Sequence, residues 1–276
     1  MLVNPKQMLQ NAYHGKYAIP HFNASNGEFV KIILATCEEL NSPVVIGFNE
    51  SSISNIGGFY TAYNIVAGLI RDLDITIPVA IQFNHAESIE RCVKAMDIGF
   101  NSVMLNSHNL NMKENLTLNG ELVEIAKVKG VSVEAEVSHS KDTGTYDLVK
   151  EAVLLGKSTG VDAVAPDIGA VEGILDSEID FDFENLKLID SNLHMPLVLH
   201  GGSGVPDHLI IKAISNGIVK VNFTTDLDLA WSTSVRKFLI DDYKEYRINK
   251  INNIGLTAVK EVIKAKILLL GSNNKA

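Results

Sequence analysis

Eight times along this chain a short apolar or β-branched run gives way to a longer stretch with helical periodicity. The runs fall at 17–23, 43–48, 78–83, 102–106, 131–137, 163–168, 196–200 and 218–223; amphipathic stretches between them include 28–40, 86–99, 115–129 and 207–217. Within 86–99, Ile89, Cys92, Val93 and Met96 recur at helical spacing, while Glu87, Glu90, Arg91 and Lys94 lie largely off that stripe. Strands that are apolar on both faces and alternate with helices imply a parallel sheet covered by helices. Eight such units in 276 residues predict an α/β fold closed as a (β/α)8 barrel of the TIM type, rather than an open doubly wound sheet. No G-x-G-x-x-G follows the first run, which fits that choice. From about Leu227 to Lys275 the pattern predicts extra C-terminal helices, with a break at 251–255. No linker rich in Pro, Gly or Ser divides the chain, so one domain over 1–276 is expected.

Charge narrows the partners. A net charge of -9 argues against nucleic acid and against an anionic membrane surface, while leaving room for a small phosphorylated ligand at a locally positive site. Cys37 and Cys92 fall on predicted helices, no run holds 18 unbroken apolar residues, and the first ten residues lack the apolar core of a signal peptide. A cytoplasmic location is the expectation.

In a barrel of this kind, chemistry gathers where the strands end. Those ends carry Asn23, then Asn49 and Glu50, Asn84 and His85, Asn106, Glu134 and Glu136, Asp167 and Glu172, His200, and finally Asn222 with Thr224, Thr225 and Asp226. His85, Glu172 and His200 offer two imidazoles and a carboxylate, enough for a three-ligand zinc site with an open position; each also reads as a rim residue with an ordinary hydrogen bond. Gly201, Gly202 and Ser203, with Asn222, Thr224 and Thr225, read as a phosphate cradle after the last two strands, or as simple turn chemistry.

Several segments together carry a resemblance: Gly15 to Asn23, Gly99 to Met104, Val131 to Glu136, Gly160 to Ala163, residues 197–207, Lys220 to Leu227, and the closing Gly271, Ser272, Lys275 and Ala276. The chain resembles the class II, zinc-dependent ketose-bisphosphate aldolases that act on fructose and tagatose bisphosphates. The resemblance implies a (β/α)8 barrel, Zn2+, a phosphorylated ketose or triose phosphate as substrate, and a homodimer or homotetramer. It implies that His85 and His200 match two zinc ligands and Glu136 a carboxylate near the metal. Gly173 matches the glycine after the middle ligand, and Gly201, Ser203, Asn222 and Thr225 match phosphate positions.

The departures fall on the chemistry. The family's Leu-Asp-His is Phe83, Asn84, His85 here, so an amide stands at the position of the catalytic aspartate. An amide exchanges no proton near neutral pH and cannot act as general acid or base. Glu172 stands where the family has its middle zinc histidine. The family's Ser-x-Gly is Asn49, Glu50, Ser51, its Asp-Gly-Ser is Asn106, Ser107, His108, and its long acidic loop is cut to 138–146. Altered or reduced aldol cleavage is the expectation. The alternatives are an inactive sugar-phosphate-binding relative or a different metal-dependent lyase using a His2Glu site. Asp167, Asp142 and His139 are candidate replacement acids and bases.

Overall fold

The computed structural model describes residues 1–107, 110–137, 147–170, 173 and 180–276. Eight parallel strands close into a barrel in sequence order: β1 (Ile19–Asn23), β2 (Val44–Phe48), β3 (Val79–Ala86), β4 (Ser102–Leu105), β5 (Ser132–Glu136), β6 (Ala163–Ala165), β7 (Leu197–Leu199) and β8 (Ile218–Phe223). Seam closure is direct, with His21 opposite Asn222 and Phe22 opposite Phe223. The expected barrel is therefore observed, and each predicted run contains a strand. Eleven helices are described: α1 (Lys6–Gly15), α2 (Gly27–Glu39), α3 (Glu50–Asn55), α4 (Phe59–Asp72), α5 (Ile89–Ile98), α6 (Met112–Lys129), α7 (Leu148–Thr159), α8 (Phe183–Leu193), α9 (Asp207–Ser215), α10 (Thr225–Asp241) and α11 (Ile248–Leu270).

Side chains alternate across each strand, so the apolar runs supply two different cores. The larger lies between sheet and helices and holds Phe22, Phe48, Phe83 and Phe223. Behind β2 and β3 its aromatic rings meet edge to face: Phe59 and Phe83 are 4.8 Å apart at 81°, and Phe59 and Phe100 5.8 Å apart at 84°. The Arg91 guanidinium covers Phe59 at 4.7 Å while pairing with Glu50, which turns Glu50 away from the barrel mouth. Each fully buried Phe contributes roughly 1.5–3 kcal/mol, and this packing anchors the outward side of β3. The smaller core joins Met8, Leu9 and Ala12 of α1 to Ile19, Val45, Ala80, Ala163 and Val198. Here α1 packs against the barrel's apolar layer at the end opposite the strand termini.

Between that apolar layer and the rim, the barrel interior is polar. His21, Gln82, Glu134 and Lys220 are all buried, each at an inward position of its strand. Gly47 makes room for them, because a Cβ there would lie 1.8 Å from the His21 Nε2 and 2.3 Å from the Asn23 Oδ1.

The predicted break at 251–255 is not observed. Helix α11 runs unbroken through it, and the interruption lies at 242–247, after the C-cap of α10 at Asp242. Gly255 reads as a breaker in sequence but serves close packing: a Cβ there would meet the Trp231 ring at 2.3 Å. Asn252 accepts a hydrogen bond from Trp231 Nε1 at 3.0 Å. The true turn is held by Glu245, whose carboxylate takes Arg247 at 2.6 Å and Lys250 at 2.7 Å. Among the described residues, no helix is long and apolar enough to cross a membrane.

Candidate active site

The rim owes its shape to an irregularity in β3. Its pairing with β4 runs in register through Phe83 opposite Val103, then shifts so that Ala86 faces Leu105. Inside that shift His85 adopts φ 52°, a left-handed backbone that costs a non-glycine residue about 1–3 kcal/mol. Asn84 stays inward and buried, while His85 is half-buried at the mouth.

A cavity of about 280 Å³ opens at this end of the barrel. Asn23, Asn49, Asn84 and His85 line one part of it, and Gly173, Gly201, Ser203, Asn222, Thr224 and Thr225 line the rest. Nearly the whole expected substrate-binding set is thus in one place. Gly202 does not line it and spends its N–H on the Asn222 carbonyl at 2.9 Å, fixing one turn to the next strand. Ser203 Oγ accepts N–H bonds from Thr224 and Asp226, both at 3.2 Å, which ties the two glycine- and threonine-bearing turns together. Its own hydroxyl proton remains to donate. Helix α10 begins at Thr225, so the positive end of a 17-residue helix faces the cavity.

His85 and His200 meet beside the cavity, with ring centroids 5.4 Å apart at 65°. Glu136 lies between them: its Oε2 is 3.5 Å from His200 Nδ1 and 4.0 Å from His85 Nδ1, while Oε1 accepts the Ser107 N–H. On its other side His200 Nε2 meets Glu134 Oε1 at 2.9 Å. Burial alone would lower the His200 pKa, but two carboxylates outweigh it and raise it to about 9. Burial pushes Glu134 up, yet the Lys220 and His200 cations hold it well below the usual carboxylate range. Glu136 is likewise held low against burial by His200 and His85.

Sequence reasoning passed over what lies beneath. Lys220 Nζ is 2.7 Å from Glu134 Oε2, and it donates to Gln82 Oε1 at 2.8 Å and to His21 Nδ1 at 3.0 Å. Gln82 Nε2 in turn donates to Glu134 Oε2 at 3.2 Å. His21, Gln82 and Lys220 sit inside the apolar runs, and the signal that finds them is a polar residue at every second position. Burial together with the Lys220 cation lowers the His21 pKa well below its ordinary value, so its imidazole is neutral.

Other expected residues are accounted for individually. Asp167 Oδ1 accepts the Gly169 N–H at 3.0 Å in a local turn. Glu172, Asp142, His139 and His108 lie outside the described residues. Among the described residues, no three of His, Cys, Asp or Glu form a ready-made metal cluster. The donor chemistry of His85, His200 and Glu136 nevertheless fits a cation: two imidazoles converge on one carboxylate, and the Glu134 contact at His200 Nε2 leaves Nδ1 beside Glu136 Oε2.

The structure defines a closed (β/α)8 barrel with a polar cavity at its rim beside paired histidines. The class II fructose-bisphosphate aldolase family model matches residues 3–275, and the chain belongs to that family. It is 40% identical to a fructose-bisphosphate aldolase of Geobacillus stearothermophilus over 287 aligned positions, covering 100% of this chain and 99% of that one. A fructose-bisphosphate aldolase of Staphylococcus epidermidis is 39% identical over 283 positions, with the same coverage. Among solved structures, the YdjI aldolase of Escherichia coli K12 superposes with a TM-score of 0.89 at 31% identity, covering 100% of both chains. The family is metal-dependent and acts on phosphorylated sugars.

Proposed function

We propose that this protein binds a phosphorylated ketose, or dihydroxyacetone phosphate, at the rim cavity, and that its aldol cleavage is altered or reduced. The observation that carries the reading is Asn84. It is buried at the cavity wall, where the family's aspartate would exchange a proton, and its amide has none to exchange. The phosphate end of the ligand sits among Gly173, Gly201, Ser203, Asn222, Thr224 and Thr225, with the start of α10 supplying a favourable field. Asn23 lines the same cavity and joins the two groups, hydrogen-bonded to Asn84 at 3.3 Å and to Thr224 at 2.7 Å. Zn2+ is the proposed metal, held by His85, His200 and Glu172, with Glu136 as an accessory carboxylate. Bound there, the metal would polarise a ligand carbonyl. Glu134 orients the His200 ring, and Lys220 keeps Glu134 charged. The same Asn84 observation favours a second reading, a sugar-phosphate-binding relative without turnover. A cytoplasmic homodimer or homotetramer is the proposed working form.

Metal analysis of the purified protein beside an aldol-cleavage assay on fructose and tagatose bisphosphates tests this. The expected result is bound zinc with slow or no triose phosphate release. Cleavage at rates ordinary for enzymes would overturn the claim of altered chemistry. A protein that takes up no metal would overturn the metal assignment.

A further inference from the structure

Resting on the reading above, we infer that Asn84 is a specificity-determining residue whose carbonyl oxygen, locked in place by a hydrogen-bond relay from Lys220, accepts a hydroxyl proton of the ligand. The relay starts from a group with no ambiguity. A lysine ammonium has three donors and no acceptor. Lys220 directs them at Glu134 Oε2, Gln82 Oε1 and His21 Nδ1. His21 must therefore accept at Nδ1, and its neutral ring carries its proton on Nε2, which donates to Asn23 Oδ1 at 3.1 Å. With its oxygen accepting, Asn23 turns its Nδ2 outward to donate to Thr224 Oγ1 at 2.7 Å. Asn23 Oδ1 also receives Asn84 Nδ2 at 3.3 Å. That contact fixes the last member: Asn84 can only present Oδ1 elsewhere, and it does so as a buried acceptor with no partner among the described residues.

Each step is forced by the one before, so the orientation of an amide at the cavity is set by a lysine in the layer beneath. An amide that could rotate would satisfy a donor or an acceptor equally. This one discriminates. The Asn222 Oδ1 is a second buried acceptor without a partner among the described residues, and Asn222 lines the same cavity. One fixed acceptor, with the Ser203 hydroxyl and the α10 start lining the same cavity, describes a ligand that brings a hydroxyl donor at one end and an anion at the other. Position 84 has thus exchanged proton transfer for selection by hydroxyl geometry. The same relay disfavours a carboxylate at position 84, since it would face the Asn23 oxygen with no proton between them.

The test measures calorimetric binding of fructose 1,6-bisphosphate and tagatose 1,6-bisphosphate, which differ in the direction of one hydroxyl, with inorganic phosphate as a third probe. The zinc-loaded wild type, Asn84→Ala, Asn84→Asp and His21→Phe are compared, each checked for folding by its unfolding temperature without ligand. The wild type is expected to prefer one epimer by about tenfold, the scale of one hydrogen bond. Asn84→Ala should erase that preference while leaving phosphate affinity within about twofold, whereas Asn84→Asp, whose carboxylate still accepts, should keep it. His21→Phe, which touches no ligand, should erase it too by releasing the Asn23 and Asn84 amides. A preference that survives Asn84→Ala overturns the inference, and one that survives only His21→Phe overturns the relay. Failure of the wild type to bind either epimer or phosphate overturns the sugar-phosphate reading itself, a result distinct from binding that ignores Asn84.

Discussion

Two polar layers lie a few ångströms apart in this barrel and are built on opposite rules. In the interior, His21, Gln82, Glu134 and Lys220 satisfy one another: three donors of one ammonium find three acceptors, and Glu134 also takes His200. At the rim, Asn84 and Asn222 are nearly as buried yet each keeps an oxygen without a partner among the described residues. Buried polar groups ordinarily find partners, because an unmade bond costs about 1–3 kcal/mol. The inner layer follows that rule and acts as structure; the outer layer breaks it, and in the proposed function that makes it the receptor. The saturated layer also gives the unsaturated one its direction.

The sharpest way to break this contrast is Lys220→Met. It leaves the Glu134 carboxylate buried with His200 as its remaining cation and Gln82 and His21 without their donor, and urea unfolding is expected to show a loss of about 3–5 kcal/mol. A loss under 1 kcal/mol would mean that the inner layer is not structural. A smaller effect follows from His200. Its pKa is raised to about 9, so between its ordinary value and about 9 the folded protein holds a proton that the unfolded chain has released. Stability of the metal-free protein therefore falls as pH rises through this window, by at most about 1.4 kcal/mol per pH unit for one proton. Unfolding curves across that range should lose this slope in His200→Gln; a slope unchanged in the variant would assign it elsewhere. The smallest effect is expected at the rim. Asn222→Ala removes an oxygen that had no partner, so unfolding stability should move by no more than about 1 kcal/mol while sugar-phosphate affinity drops. A loss as large as that of Lys220→Met would erase the distinction between the layers.

Much of this was legible in the chain. Eight apolar runs in order, each followed by helical periodicity, sufficed for the closed barrel, and strand ends moved by only a few residues. The rim was legible as well, because Asn23, Asn84, His85, Asn222 and Thr225 stand where apolar residues stop. The interior was not. His21, Gln82 and Lys220 are embedded in runs that read as continuous strand, and their cross-strand partners lie 52 to 199 positions away. Nothing local announces such pairings. The Gly255 error has a related cause: glycine signals either a turn or a close approach, and only the distant Trp231 decides which. Gly202 shows the same limit, since its place in a glycine-rich turn suggested ligand contact whereas its N–H serves the adjoining strand.

The strand that carries His200 is also one of the shortest, β7 with three residues, and its neighbour β6 has three. The two meet over a single register pair, Val164 opposite Leu197, whereas β2 and β3 pair over five. The barrel is therefore a ring with one thin stave. Strain or thermal agitation will concentrate at that joint before it reaches the broad β1–β2–β3 wall, because local opening follows the fewest backbone bonds. A cation gripped by His85 on one side of the mouth and His200 on the other would act as a clasp across the ring, lending the thin side the endurance of the thick one.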